Sequence, residues 1–179
     1  MSIKYLPNIL SLLRLFLVIP FVYFFLRAQF QPSLIIFIIA AFTDALDGWL
    51  ARHFNCQTNF GLIIDPLADK ILIVSCILLL GYHHVLPIWF VLLVLGRDLA
   101  ITFGAFIAMY IFDQPSPLQP SLISKLNTVL QMMLILSCLI HISYIPLPII
   151  YLNILIALVT LTIITSFFHY LFVWYKGLK

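Results

Sequence analysis

Four of the six acidic residues in this chain are aspartates in one stretch, FTDALDGWLARHFNCQTNFGLIIDPLADK. They are Asp44, Asp47, Asp65 and Asp69, and the chain has no glutamate. Asp44 and Asp47 are three apart and Asp65 and Asp69 four apart, so a helix puts each pair on one face. A short turn between two such helices brings the four carboxylates together near a membrane surface. Like charges that close raise one another's proton affinity and repel, so the arrangement calls for a multivalent cation. Oxygen-only ligands point to Mg²⁺ or Mn²⁺, with Ca²⁺ as a competitor. Four carboxylates are more than one Mg²⁺ usually takes, which predicts two ions. Two metals about 4 Å apart are a common clamp on a phosphoryl centre undergoing in-line displacement.

The neighbours of the aspartates fit the same chemistry. Gly48 and Ala51 follow Asp44 on nearly the same helical face, and small residues there leave backbone bare for a ligand. Gly61 does the same one turn before Asp65. Arg52 offers a permanently charged planar fork to a phosphate. Metals, clearance and a phosphate donor together describe a diphosphate site. A purely structural reading, with the acids as helix caps or ion-pair partners, is weaker, because acids within membrane helices are expensive and usually functional.

The full pattern is Asp44-x2-Asp47-Gly48-x2-Ala51-Arg52-x8-Gly61-x3-Asp65-x3-Asp69. It resembles the complete signature of the CDP-alcohol phosphatidyltransferases. The resemblance implies a fold of six transmembrane helices over the whole chain, usually a homodimer, with the site opening near the cytoplasmic face. It implies that Asp44, Asp47 and Asp65 hold the metals on the diphosphate of a CDP-linked lipid. Asp69 would sit by the second metal and act as general base. The acceptor hydroxyl would attack the lipid-side phosphorus, and CMP would leave. Gly48, Ala51, Arg52 and Gly61 would frame the nucleotide.

Polar residues elsewhere bear on the acceptor. In LPNILSLLR, the residues Asn8, Ser11 and Arg14 are one turn apart and form a polar stripe on an apolar span. The stretch resembles the opening of the phosphatidylglycerophosphate synthase and cardiolipin synthase branches, and places Asn8 and Ser11 with the CDP-lipid and Arg14 with the acceptor. An interfacial cap and a snorkelling arginine is the plainer alternative. GRDLAI puts Arg97 and Asp98 inside a span, where a charge needs a partner; an ion pair to another helix is the alternative. In PSLISKLNTVLQ, Ser124, Thr128 and Gln131 share one face with Lys125 at its edge. Arg97 and Lys125 together suit an acceptor phosphate; a capped helix start with a cytoplasmic anchor is the alternative. In SFFHY, His169 and Tyr170 read more readily as interface anchors. GRDLAI, PSLISKLNT and SFFHY are more similar to the CMP-forming cardiolipin synthase branch, which implies phosphatidylglycerol as acceptor. Glycerol 3-phosphate, the acceptor of the other branch, is the alternative.

The elements that must position these residues follow from composition. The 179 residues are 64% hydrophobic and only 8% charged, with mean hydropathy +1.19. A soluble domain carries about 25% charged residues, so the chain reads as an all-α integral membrane protein, not a barrel. Six apolar spans fit, at 8–28, 33–53, 62–81, 86–111, 122–143 and 147–173, in a single domain over 1–179. The breaks between them are short, and polar or proline-bearing. The first span is expected to be retained, with no signal cleavage site. Lys4, Arg52, Lys125, Lys176 and Lys179 fall on or near one side, which predicts both termini in the cytoplasm. The acid turn then faces the cytoplasm, in a bacterial inner membrane. The net charge of +3 carries no basic run for nucleic acid. Three cysteines imply no disulfide framework, and His83, His84 and His141 receive no role. An ion carrier built on intramembrane aspartates, or a structural subunit, are the non-enzyme readings. A carrier's acids usually lie toward the membrane midplane, and these gather at one face.

Overall fold

A computed structural model describes the backbone of residues 6–53, 61–111 and 122–177, and the side chains of 9–44, 46, 67–101 and 123–168. Every regular element among them is an α-helix: α1 (Leu6–Leu26), α2 (Phe30–His53), α3 (Gly61–Tyr82), α4 (Ile88–Ile111), α5 (Leu122–Ser143) and α6 (Ile149–Gly177). The six helices lie where six apolar spans were expected, with ends displaced by a few residues. Among the described residues, three stretches are long and apolar enough to cross a membrane: Ile9–Leu26, Ile123–Ser143 and Ile149–Phe168. The apolar part of α2, Phe30–Asp44, is shorter.

The connections have physical causes. After α1, Ala28 N–H donates to Phe25 O and Gln29 N–H donates to Phe24 O, both at 3.0 Å. This is a Schellman closure, which needs one residue in the left-handed region. Ala28 takes that place at φ 56°, where glycine is the usual occupant. His84, just past α3, also has positive φ, at 58°, and histidine is enriched there. Both α4 and α6 start after a proline. Pro87 O accepts from Phe90 and Val91 N–H, and Pro148 O from Tyr151 and Leu152 N–H. Proline costs nothing at a helix entrance, where its missing N–H would have had no partner. At the end of α5, His141 Nδ1 accepts from Leu147 N–H at 2.8 Å, which closes the turn ahead of Pro148.

The chain forms two compact units. The first joins residues up to His83 with 135–147. Its core sets Phe21 of α1 against Phe37 of α2, ring centroids 6.4 Å apart, and Phe25 of α1 against Phe30 of α2 at 5.3 Å. On α3, Ala68, Leu72, Cys76 and Leu80 recur every fourth residue and are fully buried. Small Ala40, Ala68 and Cys76 let backbones approach closely, as membrane helices require. The second unit joins His84–Leu134 with Pro148–Lys179. Phe90, Val91 and Val94 of α4 and Leu152, Val159 and Ile163 of α6 form its apolar core.

The polarity is inverted relative to a water-soluble protein. Ser11, Arg14, Ser33, Asn127, Gln131 and Ser166 are buried, whereas Phe16, Ile19, Leu92, Ile149, Ile150 and Phe168 face outward. Lipid tails tolerate outward isoleucine and phenylalanine, and polar side chains find partners only inside. The chain is built as an integral membrane protein.

Candidate active site

In the first unit, α1, α2 and α3 converge on Arg14. Ser11 and Arg14, one turn apart on α1, are both fully buried, so these two members of the polar stripe face the interior of the unit and the arginine does not snorkel. Arg14 Nη1 donates to Asp44 Oδ1 of α2 at 2.9 Å and to Asp69 Oδ1 of α3. A guanidinium without water must be paired, and two carboxylates from two helices do this. The acids are less enclosed than the arginine, with Asp44 34% and Asp69 32% exposed. Each carboxylate thus has one side against Arg14 and part of its surface open.

The donor type, though not yet a ligand set, suits a hard divalent cation. Carboxylate oxygens from α2 and α3 already gather around one cationic nitrogen, and oxygen is the donor such an ion prefers. Asp44 and Asp69 are the described members of the expected four. The side chains of Asp47 and Asp65 lie outside the described residues, as do those of Asn8, Gly48, Ala51, Arg52 and Gly61. Their backbones run through the start of α1, the last turns of α2 and the start of α3. Among the described residues no group of three or more His, Cys, Asp or Glu forms a metal cluster.

The second unit has its own polar centre at Arg97. Its Nη1 donates to Asp98 Oδ1 at 2.7 Å. Its Nη2 donates to Ser124 Oγ of α5 at 2.7 Å and to Ser166 Oγ of α6 at 3.3 Å. The arginine of α4 thus pairs with its own neighbour in sequence and ties three helices together. The Arg97 side chain is 9% exposed, and its Nε has no partner among the described residues. One turn further along α5, the Thr162 hydroxyl of α6 meets Asn127 Oδ1 at 2.9 Å.

The polar face of α5 differs from the expected one. Lys125 and Thr128 are exposed, and Thr128 Oγ1 donates back to Ser124 O at 3.2 Å. Asn127 and Gln131 are buried, followed inward by Leu134, Ile135 and Cys138. The buried face of α5 thus runs Asn127, Gln131, Leu134, Cys138, in steps of four, three and four, and Thr128 falls to its side. Arg14 lies with the acids in the first unit, and Arg97 and Lys125 in the second. Asn127, Thr162 and Ser166 were not singled out from sequence. Their signal is a pair of one-turn polar steps on consecutive helices, three residues from Ser124 to Asn127 and four from Thr162 to Ser166.

An all-helical membrane chain with acids from two helices gathered on one buried arginine defines a membrane-embedded, acid-centred protein. A family model described as CDP-alcohol phosphatidyltransferase matches residues 4–174. The chain belongs to that family. It is 32% identical over 183 residues to the cardiolipin synthase (CMP-forming) of Rattus norvegicus, covering 92% of this chain and 60% of the rat protein. It is 41% identical over 147 residues to the CDP-diacylglycerol–glycerol-3-phosphate 3-phosphatidyltransferase of Wigglesworthia glossinidia brevipalpis, covering 78% of this chain and 79% of that one. It is 36% identical over 98 residues to the cardiolipin synthase (CMP-forming) of Streptomyces coelicolor, covering 51% and 46%. The chain thus spans about three fifths of the rat relative's length.

Proposed function

We propose that the chain transfers a phosphatidyl group from CDP-diacylglycerol to the glycerol hydroxyl of phosphatidylglycerol, releasing CMP and forming cardiolipin. Two Mg²⁺ or Mn²⁺ ions, held by Asp44, Asp47, Asp65 and Asp69, would supply charge neutralisation on the diphosphate when bound. Asp69 takes the proton of the acceptor hydroxyl. The freed oxygen forms a bond to the lipid-side phosphorus, and the bond from that phosphorus to the bridging oxygen breaks. CMP leaves with that oxygen. Gly48, Ala51, Arg52 and Gly61, with Asn8 and Ser11, receive the CDP-lipid. Arg97 and Lys125 receive the acceptor phosphate, and Arg14 serves the acceptor by holding Asp69 in place. The enzyme works as a homodimer in a bacterial inner membrane, with six spans, both termini and the site on the cytoplasmic side.

The observation that carries this reading is the convergence of Asp44 and Asp69, from two helices, on Arg14, at the described part of the family signature. Neither a structural ion pair nor an ion carrier accounts for the family signature around these acids. The second reading is glycerol 3-phosphate as acceptor, favoured by the Wigglesworthia relative, of which this chain covers 79%.

The test is a product assay on purified protein with CDP-diacylglycerol and Mg²⁺ or Mn²⁺. Phosphatidylglycerol and glycerol 3-phosphate are supplied in separate reactions. Cardiolipin and CMP from the first alone support the lead reading. Phosphatidylglycerophosphate from the second moves the assignment to the other acceptor. No CMP in either, from folded protein, overturns both.

A further inference from the structure

Within the second unit, the inner face of α5 carries two carboxamides with unmet bonding capacity. Asn127 is fully buried and Gln131 is 3% exposed. Among the described residues, Asn127 Nδ2 and Gln131 Nε2 have no hydrogen-bond partner, and neither has Arg97 Nε. The Thr162 hydroxyl lies 2.9 Å from both Asn127 Oδ1 and Val159 O, so one end of the Asn127 amide is engaged and the other is open. The three unmet groups belong to one polar column. Arg97 is fastened to Ser124, Asn127 stands three residues on, and Gln131 four beyond that. At about 1.5 Å per residue, the column from Ser124 to Gln131 runs about 10 Å along the helix.

Buried polar groups are nearly always satisfied, and each exception asks what meets it. Here a guanidinium N–H makes its strongest hydrogen bond to an oxyanion, while a carboxamide can both donate and accept. A ligand with an anionic phosphate at one end and hydroxyl or ester oxygens along its length satisfies all three. We infer that Asn127 and Gln131 bind the phosphoglycerol group of the acceptor and, with Arg97, determine acceptor specificity. This rests on the transferase reading above. The same chemistry comes from phosphatidylglycerol or from free glycerol 3-phosphate, so both are used as probes.

The test replaces each amide by an apolar side chain of similar size, Asn127→Leu and Gln131→Met, in the full-length detergent-solubilised protein. Steady-state kinetics is run with both acceptors and with CDP-diacylglycerol. The expected result is a rise of about tenfold or more in KM for whichever acceptor the wild type uses, equivalent to about 1.4 kcal/mol, while the donor KM stays in place. A second measurement needs no turnover. The wild type gains thermal stability on adding glycerol 3-phosphate or phosphatidylglycerol, and the variants lose that gain without losing baseline stability. Should Asn127→Leu fail to fold, Gln131→Met alone decides.

An acceptor KM that does not move, or amides met by water alone, overturns the inference and leaves the transferase reading standing. A shift in donor KM instead assigns the column to the nucleotide lipid and also overturns it. A wild type that turns over neither acceptor overturns the transferase reading, and this inference with it.

Discussion

Arg14 sets the behaviour of the acid cluster at the scale of single residues. Removing one member of a buried ion pair costs about 3–5 kcal/mol, because the charge left behind is uncompensated. Asp44 and Asp69 are each about two-thirds covered, so the effect of Arg14→Gln falls toward the lower end of that range. The expected outcome is a protein that loses thermal stability in chelator and recovers most of it when Mn²⁺ is added, a larger cation-dependent shift than the wild type shows. A variant that loses stability equally with and without Mn²⁺ would separate the arginine from the metal site. Asp69→Asn, by contrast, keeps the fold, because Arg14 still has Asp44. Its turnover should fall by about 10²–10⁴, the usual contribution of a positioned base, and a folded, fully active variant would remove the base role from Asp69. Asp44 and Asp69 stood out in sequence because each belongs to a helically spaced pair of acids. Their partner did not. The contact from Arg14 to Asp69 crosses 55 residues, and nothing local in LPNILSLLR distinguishes a buried cation from one reaching for the interface.

The helices themselves were readable from their punctuation. Proline and polar breaks separate long apolar runs, and Pro87 and Pro148 stand directly at the starts of α4 and α6. Two features of the elements escaped. The end of α1 has no glycine or asparagine to announce a left-handed residue, yet Ala28 adopts φ 56°. Ala28→Gly removes a strain of about 1–2 kcal/mol, partly offset by glycine's greater freedom in the unfolded chain. A net gain of up to about 1 kcal/mol in thermal unfolding is expected, and a loss would mean that the Ala28 methyl contributes packing. The inner face of α5 was misjudged by one position, with Thr128 expected where Asn127 stands. Over so short a polar run, steps of four then three and of three then four fit one helical face almost equally, and only the buried Leu134 and Cys138 beyond it decide.

At the scale of the whole molecule, burial and exposure support a bilayer as the surrounding medium, as composition alone had required. Orientation rests on where Lys and Arg fall outside the spans. A reporter fused after Lys179 that works only in the cytoplasm should be active, and one that works only outside should be silent; the reverse result inverts the assignment. Arg14 takes no part in that count, because aspartates hold it inside the protein. Its place ahead of its acidic partners in the chain has a consequence for biosynthesis. Asp44 follows Arg14 by 44 − 14 = 30 residues, and a ribosome adds about 5–20 residues per second. For some seconds the nascent first helix therefore presents an unneutralised cation to the membrane, until α2 emerges with the carboxylate that accompanies it.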